Sequence, residues 1–179
     1  MMDDLKKIKF LDISFNNQHI YGADDHNYIS KWHINTNALI YIFKIDTVSD
    51  PKDHIINFGL IKPPFTKKTQ TVVVTSNSIL LYDDDILIQK FQTGFFVTAS
   101  AFIYQENIDS DPESGFMIAV GSKYGDLKFW KKQERDFIRK YKKFKGKVTA
   151  LCFENGYIAV SHKERKSKSI KLKILYLSN

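Results

Sequence analysis

The sequence predicts an all-β fold built from about four successive units of antiparallel strands. Runs with helical spacing are almost absent from the chain. The apolar runs are short, rich in Ile, Val, Phe, Tyr and Thr, and often alternate with polar residues, as half-buried strands do. Large aromatic residues recur at intervals of 50 and 48 positions, at Trp32, Tyr82 and Trp130, which indicates an internal repeat.

The first unit covers approximately residues 8–45. Its second and third strands form a hairpin around the polar corner Asp24–Asn27, and the third strand carries Trp32. Asp and Asn are favoured in such corners because their side chains bond to nearby backbone groups. The four strands of this unit are predicted at residues 10–15, 19–23, 28–34 and 38–45.

The second unit covers approximately residues 54–91 and repeats this order. The run TVVVTS is strongly β-branched, which favours a strand. Three consecutive acidic residues, Asp83–Asp85, form the last turn. They would suit a cation or a basic partner, although a solvated turn is the more common role of such a run. The predicted strands are residues 54–61, 71–76, 78–82 and 86–91.

The third unit covers approximately residues 95–144 and contains the clearest hairpin of the chain. Gly121, Ser122 and Gly125 lie between two apolar runs and suit a reversing chain. The second run ends on Trp130. The predicted strands are residues 95–104, 117–120, 127–130 and 137–144.

The outer strand of the third unit has a competing interpretation. Apolar residues in the segment Lys131–Lys145 are spaced by three and four, which would also suit a helix. The alternation of apolar and basic residues at 137–143 fits a strand equally well. We favour a strand, because the neighbouring units have one at this position.

The fourth unit covers approximately residues 146–177 and has only three predicted strands, at 147–153, 157–162 and 169–177. Cys152 lies in an apolar run and is expected to be a buried core residue. No strand follows residue 177, so the edge of the last strand could pair with another chain. The short polar segment Asp3–Lys7 could also fill that position.

A period of 40–50 residues with four strands per unit is typical of propeller blades. The predicted fold is therefore a partial β-propeller of about four four-stranded antiparallel blades, the last of them incomplete. Trp32, Tyr82 and Trp130 are expected to be structural aromatics within these blades.

The residues also resemble WD40-repeat β-propellers. The sequence GSKYGDLKFW at 121–130 is similar to the glycine-serine, turn, strand and tryptophan of that family. Residues 147–162 resemble the opening of a repeat, and residues 10–34 resemble its first three-quarters. The resemblance implies a non-catalytic protein-interaction scaffold that works as a subunit of a larger complex.

Several positions depart from the family pattern. Gly146-Lys147 replaces the expected Gly-His pair, and Tyr124 and His26 stand where a turn aspartate is expected. The family's buried network of Asp, His, Ser or Thr, and Trp is therefore expected not to form. Four units are also few for a closed ring. Missing sequence, a second copy or other protein subunits could complete it.

No residue pattern indicates a cofactor, a metal site or a catalytic centre. The glycines Gly121 and Gly125 lack the helix and lysine of a phosphate-binding loop. The densest potential metal corner is Asp24, Asp25 and His26, but turns favour Asp for backbone reasons. We expect that the chain is not an enzyme.

Size and cysteine content indicate one intracellular domain. The 179 residues are 43% hydrophobic, enough for a buried core. No apolar run approaches the ~20 residues of a membrane-spanning helix, and the N-terminus lacks the apolar segment of a signal peptide. The single cysteine, Cys152, excludes an internal disulfide. A cytoplasmic or nuclear location is expected.

Charge is distributed unevenly along the chain. Residues 1–122 have a net charge of −5, whereas residues 123–179 have a net charge of +12. Such a basic segment suits RNA or an acidic protein segment, although a solvated surface has the same composition. Tyr141 and Phe144 could offer stacking faces. The basic residues of this candidate surface are Arg139, Lys140, Lys142, Lys143, Lys145, Lys147, Lys163, Arg165, Lys166 and Lys168.

Overall fold

The computed structural model of the chain describes residues 8–13, 18–45, 53–61, 69–104, 116–131, 136–141, 144–164 and 169–177. All regular structure in these residues is β-strand, which confirms the all-β prediction. The chain divides into two compact units, Met1–Gln92 and Thr93–Asn179.

The first unit contains two four-stranded antiparallel sheets, each a meander in chain order. The first sheet consists of β1 (Ile8–Ile13), β2 (His19–Asp24), β3 (Tyr28–His33) and β4 (Leu39–Lys44). The second sheet consists of β5 (Ile55–Ile61), β6 (Gln70–Thr75), β7 (Ser78–Asp83) and β8 (Ile86–Gln92).

Turn residues with left-handed backbone allow these meanders to reverse. Asn27, between β2 and β3, has a φ of 67°, and Asp84, between β7 and β8, has a φ of 55°. Asn and Asp tolerate this region better than other non-glycine residues. The polar corners of the sequence therefore mark the strand ends.

One face of the first sheet packs on the second sheet. Tyr21, Ala23 and Ile29 share a buried cluster with Phe58 and Tyr82. Successive strand residues point to opposite faces, so each strand gives only alternate residues to this cluster. We call the face of the first sheet that packs here its forward face, and the face of the second sheet that packs here its back face.

The second unit contains a four-stranded sheet and a three-stranded sheet. The third sheet of the chain consists of β9 (Val97–Tyr104), β10 (Phe116–Ser122), β11 (Leu127–Lys131) and β12 (Arg139–Tyr141). The fourth consists of β13 (Gly146–Glu154), β14 (Tyr157–Glu164) and β15 (Ile170–Tyr176). The incomplete fourth sheet agrees with the sequence-based prediction, and the segment Asp3–Lys7 lies outside the described residues.

The third and fourth sheets make the same kind of contact as the first and second. Ala119 and Phe129, on the forward face of the third sheet, share a buried cluster with Val148, Ile158 and Val160 on the back face of the fourth. The Thr98 hydroxyl also donates to the Val148 carbonyl oxygen at 2.6 Å. Both units are thus built from one forward face against one back face.

Gly121 is required by the close approach of these two sheets. A Cβ atom at this position would collide with the side chain of Val148. Only glycine leaves room for β13 here, which explains why a glycine stands in the middle of an otherwise apolar strand.

The three repeated aromatics occupy equivalent positions in the third strands. Trp32 lies opposite Ile20, and Trp130 lies opposite Ile118. All three aromatics belong to the back faces of their sheets. Tyr82 contacts the Phe43 ring of the first sheet, with centroids 5.0 Å apart. Trp130 and Tyr82 are buried, whereas Trp32 is half-buried.

The outer strand of the third sheet is shorter than predicted. β12 covers three residues instead of the predicted segment 137–144. Further along, the Phe144 N–H donates to the Gly125 carbonyl oxygen in the β10–β11 turn, at 2.6 Å. Within the described residues of this segment the outer element is the short strand β12 and none is helical, as favoured over the helix.

Candidate interaction surfaces

The forward face of the fourth sheet is apolar and exposed. Ile170, Leu172, Ile174 and Tyr176 alternate along β15, and each is between 63% and 67% exposed. The Tyr176 ring lies 5.1 Å from the ring of Tyr157, its partner on β14. Large apolar side chains in a continuous row are unusual on a free surface and indicate a binding face.

The lysines of β15 point to the opposite side of the strand. Lys173 places its Nζ atom 5.7 Å from the centroid of the Phe144 ring, and Lys171 pairs with Glu164 at 2.7 Å. In an isolated two-layer packing, the apolar set would face the neighbouring sheet and the lysines would face water. The exposed apolar row of β15 therefore lies on the side away from the third sheet, whereas Leu175, on the other side, packs against that sheet.

Cys152 lies on the same exposed face, so the prediction of a buried cysteine is wrong. Its β14 partner is Ala159, whose own partner on β15 is Ile174. Leu151 and Phe153, the neighbours of Cys152, pack against the third sheet instead. The continuous apolar run around Cys152 did not show which alternate residues of the strand would be buried by the third sheet.

The back face of the first sheet is also apolar and exposed. Leu11 and Ile13 on β1 are 65% and 53% exposed, and Leu39 and Ile42 on β4 are 51% and 48% exposed. Trp32 and Gly22 complete this face, since a Cβ atom at Gly22 would lie 3.1 Å from the Trp32 ring. We define the end faces as the back face of the first sheet and the forward face of the fourth sheet.

The structure brings two of the predicted basic residues directly together. Lys147 on β13 and Lys163 on β14 are exposed cross-strand partners. Arg139, Lys140 and Lys145 are also exposed. Five further members of the basic set lie outside the described residues: Lys142, Lys143, Arg165, Lys166 and Lys168.

Phe144 is buried and offers no stacking face, contrary to the prediction, and the half-buried Tyr141 ring is in contact on one side. The Tyr141 ring packs against Phe129, with centroids 5.4 Å apart. Phe144 is buried and lies 5.1 Å from the ring of His162. Both aromatics belong to the packing between the third and fourth sheets.

The corner Asp24, Asp25 and His26 is occupied by local hydrogen bonds. The Oδ1 atom of Asp24 accepts the backbone N–H groups of His26 and Tyr28 at 2.8 and 2.9 Å. Asp25 pairs with the His26 ring at 2.8 Å. These contacts are those of a polar turn, which accounts for the cluster without a ligand.

Asp84 of the predicted acidic turn is an internal partner. It pairs with Lys31 of the first sheet, Nζ to Oδ1, at 3.1 Å. The same Nζ atom lies 5.2 Å from the Tyr21 ring centroid and 5.3 Å from that of Tyr41. A cation between two aromatic faces and a carboxylate is well stabilised.

This environment changes the acid–base properties of the cluster. Burial opposes the charge on Lys31, but hydrogen bonds to Tyr21 and Asp84 outweigh it, and the pKa of Lys31 is raised. Burial also raises the pKa values of Tyr21 and Tyr41. At neutral pH the cluster therefore contains a charged lysine and two neutral phenols.

A buried aspartate network in the second sheet was missed by sequence reasoning. Asp53 is 7% exposed, and its carboxylate accepts the Thr75 and Ser76 hydroxyl groups at 3.1 and 2.5 Å. Asn27 of the first sheet donates to the Asp53 carbonyl oxygen at 3.2 Å. The Asp-His pair before β5 and the Thr-Ser pair after β6 were the signal available in the sequence.

The third sheet has a related but smaller aspartate contact. The Ser122 hydroxyl donates to Asp126 at 2.9 Å, two positions beyond Tyr124. No described segment forms a helix long and apolar enough to cross a membrane.

Comparison with known proteins shows the fold. The chain is similar to the computationally designed protein Ika8, with a TM-score of 0.67 and 15% identity over 97% of this chain and 46% of that one. It is similar to the designed protein Ika4, with a TM-score of 0.66 and 13% identity over 99% of this chain and 96% of that one.

The WD40 domain of Neurospora crassa Pan2 matches with a TM-score of 0.65 and 9% identity, over 96% of this chain and 50% of that one. The chain thus spans about half the length of Ika8 and of the Pan2 domain. No family model and no curated protein matches the sequence. Together with the four successive meander sheets, these likenesses confirm the predicted β-propeller architecture.

Proposed function

We propose that this chain is a divergent WD40-like, non-catalytic scaffold, an intracellular subunit that binds other proteins in a larger complex. The observation that carries the proposal is the pair of apolar end faces. Each presents a row of large apolar side chains of the kind that protein interfaces bury. The fold likeness to the Pan2 WD40 domain supports the same role by analogy.

Affinity capture of the tagged full chain from its native cells tests this role. A defined set of proteins should co-purify, and the set should persist after nuclease treatment. A matched variant with Ile170→Asp and Ile174→Asp should lose those proteins, while the exposed control Lys123→Asp should retain them. Recovery of the chain without protein partners under all these conditions would contradict the scaffold role.

RNA contact is a second candidate function, favoured by the placement of Lys147 and Lys163. Two exposed like charges directly opposite each other on a sheet repel. A bound phosphate between them would relieve this repulsion, and lysine–phosphate contacts are the main source of non-specific nucleic-acid affinity.

Titration of labelled single-stranded RNA at several salt concentrations tests this alternative. Replacing Lys147 and Lys163 with Glu should weaken binding and reduce the salt slope by about one to two. Replacing Lys9 and Lys123 with Glu provides a control with the same change in charge. An unchanged slope in the first variant would rule out RNA contact at this pair.

A further inference from the structure

We propose that a second copy of this chain covers the forward face of the fourth sheet with the back face of its own first sheet. The proposal deepens the scaffold function, on which it rests, by naming the first protein bound. The contact is head-to-tail: it joins two different faces, so one copy can use both faces at once.

The type of contact is already present twice within the chain. In the first unit a forward face packs on a back face through Tyr21, Ala23 and Val73. In the second unit the same arrangement uses Ala119 and Val148. The end faces are one forward face and one back face. A second copy therefore supplies the complementary face, and the contact has the same forward-to-back arrangement that occurs within each unit.

The exposed apolar row of β15 is the strongest reason to expect a sheet on this side. If the outer side of β15 were solvated, its lysines would be expected there. Instead Leu172 and Ile174 are exposed, while Lys171 and Lys173 point to the other side. A strand with its apolar row outward is what a further layer of sheet would bury.

The first sheet presents a matching set of side chains. Leu11 and Ile13 on the inner strand and Ile42 on the outer strand are exposed, with Trp32 between them. Trp32 occupies the repeat position that Tyr82 occupies in the second sheet. Since Tyr82 is buried against the first sheet, Trp32 is placed to be buried by a preceding forward face.

The packing within each unit indicates which ends of two stacked sheets meet. Within each unit, the turn after the second strand of one sheet touches the start of the next sheet: Asn27 bonds to Asp53 and Ile55, and Gly125 bonds to Phe144. If two copies stack in the same way, the turn end of β14 in one copy lies next to the start of β1 in the other. Exposed lysines lie at that end of β14.

That end of the fourth sheet carries Lys147 and Lys163. The start of β1 is Ile8, whose partner is Asp24, and Asp25 follows in the turn. Asp25 and the exposed Lys9 both lie at this end of the first sheet, so the packing repeated within each unit, rather than charge, selects the head-to-tail pairing.

Sedimentation of the purified full chain, without any other protein, tests the proposal. The mass should exceed 20.8 kDa and should fall on dilution from about 100 µM to about 1 µM. Leu172→Asp and Leu11→Asp should each weaken self-association at least tenfold, whereas Lys123→Asp should leave it unchanged. Circular dichroism confirms that each variant is folded, and Ile174→Lys and Ile13→Lys replace any variant that is not.

Mixing the two variants separates a head-to-tail contact from its alternatives. Leu172→Asp retains an intact first sheet, and Leu11→Asp retains an intact fourth sheet, so the mixture should form a species of two chains. If Leu172→Asp abolishes association and Leu11→Asp does not, the fourth sheets pair with each other and the proposal is wrong. A wild-type chain of 20.8 kDa at every concentration would also overturn it.

Alkylation of Cys152 gives a second, independent measurement. The thiol lies on the forward face of the fourth sheet, so it should react several-fold more slowly in the concentrated wild-type chain than in Leu172→Asp. Equal rates would contradict burial of that face. Because only the purified chain is present, failure here leaves the captured partners of the scaffold test unaffected, and the two proposals can fail separately.

Discussion

The third and fourth sheets contain similar hairpins but differ in what their two faces meet. In the third sheet, Ile118 on the back face and Phe129 on the forward face are both buried. In the fourth sheet, Ile158 on the back face is buried, whereas Ile174 on the forward face is 65% exposed. A strand with apolar residues on both sides thus has two faces that can be buried. Each face is buried only where another sheet packs against it.

The largest expected effect comes from removing a core aromatic of the third sheet. Trp130 is 1% exposed, so Trp130→Ala should lower the free energy of unfolding by about 3 to 5 kcal/mol. The matched change Tyr176→Ala, on the exposed face, should cost less than about 0.5 kcal/mol at low protein concentration. Urea denaturation measures both values. Similar losses of unfolding free energy in the two variants would show that the forward face of the fourth sheet is already buried.

A smaller effect is expected where the third sheet approaches the fourth. Gly121→Ala should destabilise the chain by about 1 to 3 kcal/mol, because the new Cβ atom collides with Val148. The double variant Gly121→Ala with Val148→Ala should recover part of that loss relative to the sum of the single changes. Additive losses in this double-mutant cycle would contradict a direct contact between the two sheets at this point.

The smallest expected effect is a change in how stability depends on alkaline pH, and it distinguishes two lysines in different environments. Lys31 is 13% exposed and Lys171 is 53% exposed. The pKa of Lys31 is raised above its usual 10.5, so its stabilising contribution is complete below that pH and is lost as the pH rises through the folded value. The raised pKa values of Tyr21 and Tyr41 act in the same direction.

Unfolding free energies should therefore be constant up to about pH 9.5 and fall from about pH 10 to pH 12, because all three pKa values are raised above their usual 10 to 10.5. Lys31→Met should make the fall shallower, whereas the exposed control Lys171→Met should follow the wild type. Parallel profiles for all three proteins would show that the Lys31 cluster does not control the alkaline response.

Strand positions followed from local chemistry, but which side of a strand is buried did not. The β-branched run of β6 and the glycine turn before β11 were recognisable because strand propensity and turn preference act over a few residues. Cys152 and Phe144 were misplaced, since each depends on which neighbouring layer covers its side of the strand. The Asp53 network escaped notice because its partners are 22 and 23 residues away.

The amino-acid sequence was enough to specify the all-β class, the repeated meander and, within the described residues, the three strands of the last sheet. These features arise from alternation, turn residues and repeat spacing, which are properties of short segments. Only the tertiary structure decided that the apolar row from Ile170 to Tyr176 on β15 is exposed, while Leu175 on the other side of the strand packs against the third sheet. A strand has two equivalent sides, and the contact between layers, rather than the strand itself, determines which side is buried.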